Sequence, residues 1–414
     1  MDKTELAVIG GGAAGLAAAV MAARAGIRTT VLEKQPRVGK KLLATGNGTC
    51  NITNRQAEPG RYHGEQAAFA APALAGFTPE EACAFFASLG LPCETRENGR
   101  IYPLCGQAAA VLTCLRLELQ ARGAVERCGS AVECIVPEKA GFTLRVDGKE
   151  LRARFVLRAA GGAAAPALGG GTGGYALAEA LGHVRTPLFP SIVQLRTDTA
   201  FVRAVKGLRV EGEAALLLDG RELLRERGEI LFTEYGLSGP AVMRISRPAA
   251  DWERKKRGRL EAELNLLPGW TEAALRAHLT ARRTLPGRTL EEALTGLLQS
   301  RLGQTVLRAA GIGPLSRSAA DLRDRELDAL TAAIRRWRIP VTGTQGFGGA
   351  QVTAGGLRTA QFDPVTLESR LVPGLYAAGE ILDVDGDCGG YNLHWAWASA
   401  HAAVEAIVKR RAAL

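Results

Sequence analysis

The chain has 414 residues, 47% hydrophobic and 23% charged, enough apolar material for two or three packed domains and too much for a disordered or fibrous protein. Its net charge of +10 is carried by arginine far more than lysine in an Ala- and Gly-rich background, as a GC-rich genome supplies without any selection for nucleic acid. Eight scattered cysteines without a C-x-x-C pair leave zinc-finger and redox-dithiol readings unsupported; three glycines interrupt the apolar run Leu6 to Ala23, so the expectation is a cytoplasmic protein with no membrane partner.

Leu6 to Ile9 predicts a strand running into Gly10-Gly11-Gly12-Ala13-Ala14-Gly15, then an Ala-rich helix from Leu16 to Ala25. Gly10 allows the tight turn, Gly12 lets the backbone approach a pyrophosphate, Gly15 lets helix pack on strand, and the helix start offers free N–H groups to phosphate. A second strand, Thr29 to Leu32, ends in Glu33, where a carboxylate can bind a ribose diol. An NAD enzyme would go straight to another helix and strand. Here a long basic loop follows instead, through Lys34, Lys40, Lys41, Thr45, Gly46, Asn47, Gly48, Cys50 and Asn51 to Asn54, and such a loop can lie along FAD.

Helical spacing recurs from Pro79 to Leu89 and from Gln107 to Arg122. Alternating segments at Ala131 to Val136 and Phe142 to Val146 precede a strand over Arg154 to Ala159 that stops at Ala160-Gly161. Gly169 to Gly174 repeats G-x-G-x-x-G without a clean strand before it and reads as a flexible flavin-facing loop. Short alternating strands at Ile192 to Arg196, Ala214 to Leu218, Glu229 to Phe232 and Leu260 to Leu264 predict a small barrel or sandwich. Pro268 opens helices over Glu272 to Leu279, Thr289 to Leu302, Gln304 to Ala310 and Arg325 to Arg336. Tyr235 is the candidate substrate-facing acid, and Arg254 to Arg259 reads as a solvated basic loop.

Leu371 to Ala378 predicts a strand that turns at Gly379-Glu380, with Asp383 as the carboxylate for ribityl hydroxyls. The segment then passes Gly390, Tyr391, Asn392 and Leu393 into a helix from His394 to about Lys409. Its N-terminal dipole and N–H groups would stabilise negative charge on reduced flavin. Asp383, Asp385 and Asp387 lack the closing acid of a calcium loop, and the histidines lack ligand spacing, so no metal site is expected. Cys50 and Cys388 sit in glycine loops near the expected flavin and are candidate reactive thiols.

Three blocks, Gly46 to Asn54, Leu231 to Pro240 and Gly379 to Leu393, resemble in order the YhiN/BaiN family of FAD-dependent oxidoreductases, and the likeness spans Ala7 to Ala406. The resemblance implies a glutathione-reductase-like FAD domain with an inserted domain and, for some members, reduction of carbon–carbon double bonds in steroid-like acids. Family members usually carry Arg where this chain has Thr49.

The expected fold is α/β: a three-layer Rossmann-like FAD-binding domain over residues 1–190 and 343–414, interrupted by an insert over 191–342. The insert divides into a small β-barrel (191–267) and a helical subdomain (268–342). The expected activity is hydride transfer through flavin N5 to or from a small organic substrate, an enoyl-type acid or ketone, with NAD(P)H as candidate electron donor. An anionic substrate would use the surplus arginine, in preference to nucleic acid. The alternatives are a flavin-dependent RNA-modifying enzyme and a flavoprotein redox partner without small-molecule turnover.

Overall fold

The N-terminal apolar stretch forms strand Asp2–Ile9, flanked in parallel by Thr29–Glu33 and Lys149–Arg158 in the computed structural model, which describes residues 2–413. Val125–Cys128 extends the sheet beyond Thr29–Glu33, and Leu375–Ala377 pairs with the end of Lys149–Arg158. This spatial order of parallel strands is that of a Rossmann-type sheet. Strand alternation then makes the layers. Leu6 and Val8 pack with helices Ala13–Arg24, Ala108–Ala121 and Tyr391–Ala412, whereas Ala7 and Ile9 pack with Phe142 and Leu144 of the antiparallel pair Val132–Glu138 and Gly141–Val146.

Helix Ala13–Arg24 is built mainly from alanine, which is cheapest to order in a helix, and its small side chains let it lie against Tyr391–Ala412. It stops at Gly26, whose φ of +72° allows the Gly26 and Ile27 N–H groups to return to the Ala23 and Ala22 carbonyls. These elements belong to one compact unit, Met1–Phe189 with Gln351–Leu414; Pro190–Ala350 forms the other.

In the second unit, antiparallel strands close a barrel in the order Leu195–Thr197, Gly236–Ser238, Arg221–Phe232, Arg209–Leu218, Leu260–Asn265 and Trp337–Thr344. The long hairpin turns at Asp219-Gly220, where φ values of +51° and +80° supply the left-handed backbone of a two-residue turn. Two elements depart from the expected division at residue 267. Helix Pro240–Lys255 lies within the stretch read as strands: Pro240 suits its first turn, and Ala241, Val242, Ile245 and Ala249 make a buried helical stripe. Trp337–Thr344, expected as the end of a helical segment, closes the barrel between Leu195–Thr197 and Leu260–Asn265. The first unit therefore resumes at Gln351, not Gly343.

The expected helix Thr289 to Leu302 is a 3-10 turn, Leu290–Glu292, and the start of helix Ser300–Ala309, separated by Gly296 at φ +83°. No helix among the described residues is long and apolar enough to cross a membrane.

Candidate functional site

The glycines of the first turn differ in what surrounds them. A Cβ on Gly10 would lie 2.4 Å from the Ala159 carbonyl oxygen, on Gly11 2.5 Å from Val38 Cγ1, and on Gly15 1.9 Å from the Gly10 carbonyl oxygen. A Cβ on Gly12 would meet nothing within 4 Å. The fold itself thus requires three of these glycines, while Gly12 leaves a cradle that a ligand can enter. Helix Ala13–Arg24 begins there with no side-chain cap and no acid in its first turn, so its leading N–H groups can meet an anion. Glu33 holds the turn: Oε2 accepts from the Gly11 N–H and Oε1 from the Gln35 N–H, each at 2.8 Å. Each oxygen keeps another lone pair for a hydroxyl.

The basic loop folds back over this turn. Gly39 donates its N–H to the Gly11 carbonyl at 2.8 Å, Lys40 Nζ donates to Gln35 Oε1 at 3.0 Å, and Lys34 Nζ lies beside Gly171. Lys41 Nζ pairs with Glu380 Oε2 at 2.6 Å, while Glu380 Oε1 accepts the Thr353 N–H at 2.9 Å. The Thr45 hydroxyl donates to the Leu42 carbonyl at 2.6 Å. Gly46, Asn47, Gly48 and Cys50 all have left-handed backbones, and the Thr49 hydroxyl closes the turn on the Gly46 carbonyl. Asn51 Oδ1 is buried without a hydrogen-bond partner among the described residues, 2.9 Å from where a Gly390 Cβ would sit.

Ala160 packs against Gly174, and a Cβ on Gly170 would lie 2.0 Å from the Ala164 carbonyl oxygen. The loop expected to be flexible at Gly169–Gly174 is thus a packed turn. Gly161, at φ +70°, faces open space. Gly379 lies against Ala14; its N–H donates to Ser399 Oγ at 2.8 Å and its carbonyl accepts from Trp395 Nε1 at 3.2 Å. The closing helix starts at Tyr391, earlier than the expected His394, with Gly390 at φ +100° as N-cap and no side-chain cap. Asn392 fastens the preceding turn instead: Oδ1 accepts the Gly386 N–H and Nδ2 donates to the Gly386 carbonyl, both at 2.8 Å. Tyr391 packs edge-on against Tyr62 at 6.2 Å, and Leu393 lies against the core. The cofactor candidates therefore all belong to the first unit.

Asp383 sits deeper than a hydroxyl-binding carboxylate needs. It is 3% exposed, and Oδ2 accepts the Glu65 N–H at 3.0 Å. Burial, with the Asp385 carboxylate nearby, holds its pKa above the usual range. A carboxyl raised in the folded state gives stability fully present below its unfolded pKa and lost as pH rises through the folded one. Asp383→Asn should therefore melt higher than wild type at about pH 8, with the gain fading toward about pH 4. Thermal melts across that range test this, and a variant less stable than wild type at the upper end contradicts it.

Among the catalytic candidates, Cys50 is corrected: it is fully buried, burial pushes its thiol up to about 12, and it therefore stays protonated as core filler. Cys388 is half-buried between Asp387 and Gly389. Tyr235 belongs to the second unit, in the Thr233–Gly236 turn, where its carbonyl accepts the Thr197 N–H. A cavity of about 420 Å³ in that unit, walled by Phe201, Trp337 and Ile339, has none of the sequence-derived candidates in its lining. What the sequence reading missed is the pairing of Lys41 with Glu380 and the Thr353 contact, which join parts of the chain far apart in sequence and leave no local pattern.

Residues 4–406 match the family described as HI0933-like protein Rossmann domain. The chain is 39% identical over 410 residues to a 3-dehydro-bile acid delta(4,6)-reductase of Clostridium scindens, covering 98% of this chain and 99% of that one. It is 31% identical over 411 residues to a ribosomal RNA dihydrouridine synthase of Escherichia coli, covering 99% of each. A 3-ketosteroid delta1-dehydrogenase from Sterolibacterium denitrificans matches with a TM-score of 0.52 at 12% identity, covering 99% of this chain and 100% of that one, a likeness of fold alone. A match of this length, with full-length relatives above 30% identity, makes the chain a member of the HI0933-like (YhiN/BaiN-like) family of FAD-dependent oxidoreductases.

Proposed function

We propose that this flavoprotein reduces a carbon–carbon double bond conjugated to a carbonyl in a small unsaturated ketone or acid. The observation that carries this is the full-length relative at 39% identity, named as a reductase of a 3-dehydro-bile acid. FAD supplies the hydride chemistry that no side chain offers. In this reading the Ala13, Ala14 and Gly15 N–H groups hold the pyrophosphate over Gly12, with Gly10 shaping the turn, and Glu33 takes the adenosine ribose. Glu380, paired with Lys41, takes the ribityl hydroxyls in place of Asp383. The N–H groups of Tyr391, Asn392 and Leu393 would stabilise negative charge developing on the reduced flavin. The Gly46–Asn51 loop, Ala160 and Gly161 complete the cradle, and Asn51 Oδ1 gains the partner it lacks in the protein alone. Cys388 is the proton-donor candidate, and NAD(P)H the electron donor.

The relative named as a ribosomal RNA dihydrouridine synthase supports a second reading, in which the double bond is that of a uracil. The densest basic run favours the first. Arg254 and Lys255 both pair with Asp251, Arg259 pairs with Glu261, and Lys256 lies over Trp252, so most of this charge is already engaged.

Anaerobic reduction of the FAD-loaded protein with NADH or NADPH, followed by mixing with 3-dehydro-bile acids, simple enones or deproteinised ribosomal RNA, separates the readings. Flavin reoxidation with formation of the saturated small molecule is the expected result. Reoxidation by RNA alone replaces it with the second reading, and reoxidation by none of them overturns both.

A further inference from the structure

Strand Arg100–Pro103 pairs with Thr53–Asn54 at the end of the basic loop, and the short strand Tyr62–His63 pairs with Asp385–Gly386 just before the closing helix. These pairings bring Arg61 and Arg100 to the region of the Tyr391 ring. Arg61 Cζ lies 5.9 Å from the ring centroid. A Cβ on Gly389 would lie 3.2 Å from Tyr391 Cε2 and 3.8 Å from Arg100 Nε, so the ring and the second guanidinium meet there, one residue beyond Cys388. Gly389, at φ +143°, puts no side chain into that space.

Both arginines are half-buried, and neither is neutralised as their neighbours are. Arg55 pairs with Glu80 at 3.4 Å and Arg96 with Glu94 at 2.6 Å. The Arg100 side chain has no hydrogen bond or ion pair among the described residues. Arg61 has Asp387 Oδ2 at 3.6 Å, beyond hydrogen-bonding range, and Asp387 Oδ1 is engaged at 2.7 Å from His63 Nε2. Glu58, also near Tyr391, is exposed and pairs with neither arginine. Burial pushes the Tyr391 phenol up, so its hydroxyl keeps the proton it can donate. Donors of this kind, gathered without an acceptor of their own, suit an anion, and the planar fork of a guanidinium matches a carboxylate.

We propose that Arg61 and Arg100 anchor the carboxylate of the substrate, which makes that substrate an unsaturated acid and not a neutral ketone. This rests on the reductase reading above. The face of the Tyr391 ring steadies the Arg61 guanidinium, and Arg100 approaches from the Gly389 side. The two arginines determine specificity through binding and take no part in the bond changes at the double bond.

FAD-loaded protein is titrated calorimetrically with an unsaturated 3-dehydro-bile acid and with its methyl ester, which keeps the double bond and removes the charge. The acid should bind at least about tenfold more tightly, the worth of one charge-assisted hydrogen bond. Arg100→Met and Arg61→Met should each lose most of that preference by weakening the acid alone, and Arg100→Lys should keep part of it. Arg55→Met, which removes one positive charge from an exposed ion pair, should leave it unchanged. Arg100 has no protein partner to lose, and retained flavin absorbance checks that its variants fold. Equal binding of acid and ester, a preference that survives both Met variants, or binding of neither overturns the proposal. So does a ribosomal RNA fragment whose affinity falls in Arg100→Met while that of the acid does not, since the arginines then serve phosphate. Flavin reoxidation judges the reductase reading separately. An acid held by Arg100 that leaves reduced flavin unoxidised sinks that reading and leaves the carboxylate site standing; one that reoxidises it no better than its ester sinks the anchor alone.

Discussion

Gly12→Val is expected to yield a folded protein that no longer retains FAD. The backbone at Gly12, φ −85° and ψ −166°, is extended and open to any residue, and the added Cβ meets nothing in the protein. Replacing glycine by an apolar residue at a helix N-cap costs about 1 kcal/mol at most, so the apoprotein should melt close to wild-type apoprotein. The added carbons fill the space the pyrophosphate needs. Each charge-assisted hydrogen bond lost is worth about 1.5 to 3 kcal/mol, at least about tenfold in FAD affinity. Gly15→Ala should behave in the opposite way: its Cβ, 1.9 Å from the Gly10 carbonyl oxygen, has no room, and the fold fails before FAD matters. Flavin absorbance after gel filtration, with thermal melts of both apoproteins, distinguishes these outcomes. A Gly12→Val protein with stoichiometric FAD would show that the turn serves another purpose.

Acid should destabilise the protein through His394, the second large effect. The ring is fully buried in the first turn of the closing helix, with Nδ1 2.9 Å from Thr53 Oγ1 and the Phe77 ring stacked 6.5 Å away. Burial brings its pKa down to about 4, from 6.5. A histidine depressed in this way gives stability present above its unfolded pKa and lost as pH falls through the folded one, so the loss runs from about 6.5 down to about 4. The full gap corresponds to roughly 3 kcal/mol. His401, also lowered by burial and 4.9 Å from the same Phe77 ring, adds a loss of the same sign. His394→Gln keeps a neutral polar group beside Thr53 and should flatten the dependence. Urea melts at about pH 7.5, 6 and 5 measure it, and parallel curves for wild type and variant would assign the acid sensitivity elsewhere.

The strand, glycine turn and helix at Asp2–Arg24 are legible in the residues because each is a local property: an apolar run of strand length, Cβ-free positions at set spacing, and a tract of strong helix formers. Glu33 is legible for the same reason, since a short α/β unit places the end of its second strand beside the first turn. Helix Pro240–Lys255 was open to the same kind of reading, through Pro240 and its buried stripe, but neighbouring strand patterns obscured it.

The remaining features depend on contacts between distant parts of the chain. Trp337–Thr344 becomes a barrel strand only because two other strands offer it open edges, and no periodicity within its own residues encodes that closure. Asp383 and Glu380 are two carboxylates three positions apart with different surroundings: one lies under the Glu65 N–H, the other meets Lys41. Burial likewise keeps the Cys50 thiol protonated. The sequence by itself determined the Rossmann-type FAD fold and the flavin chemistry, because backbone geometry and periodicity are short-range. Only the tertiary structure decided which charges meet, which thiols are buried and where the barrel closes, because desolvation and pairing depend on what the rest of the chain packs against each group.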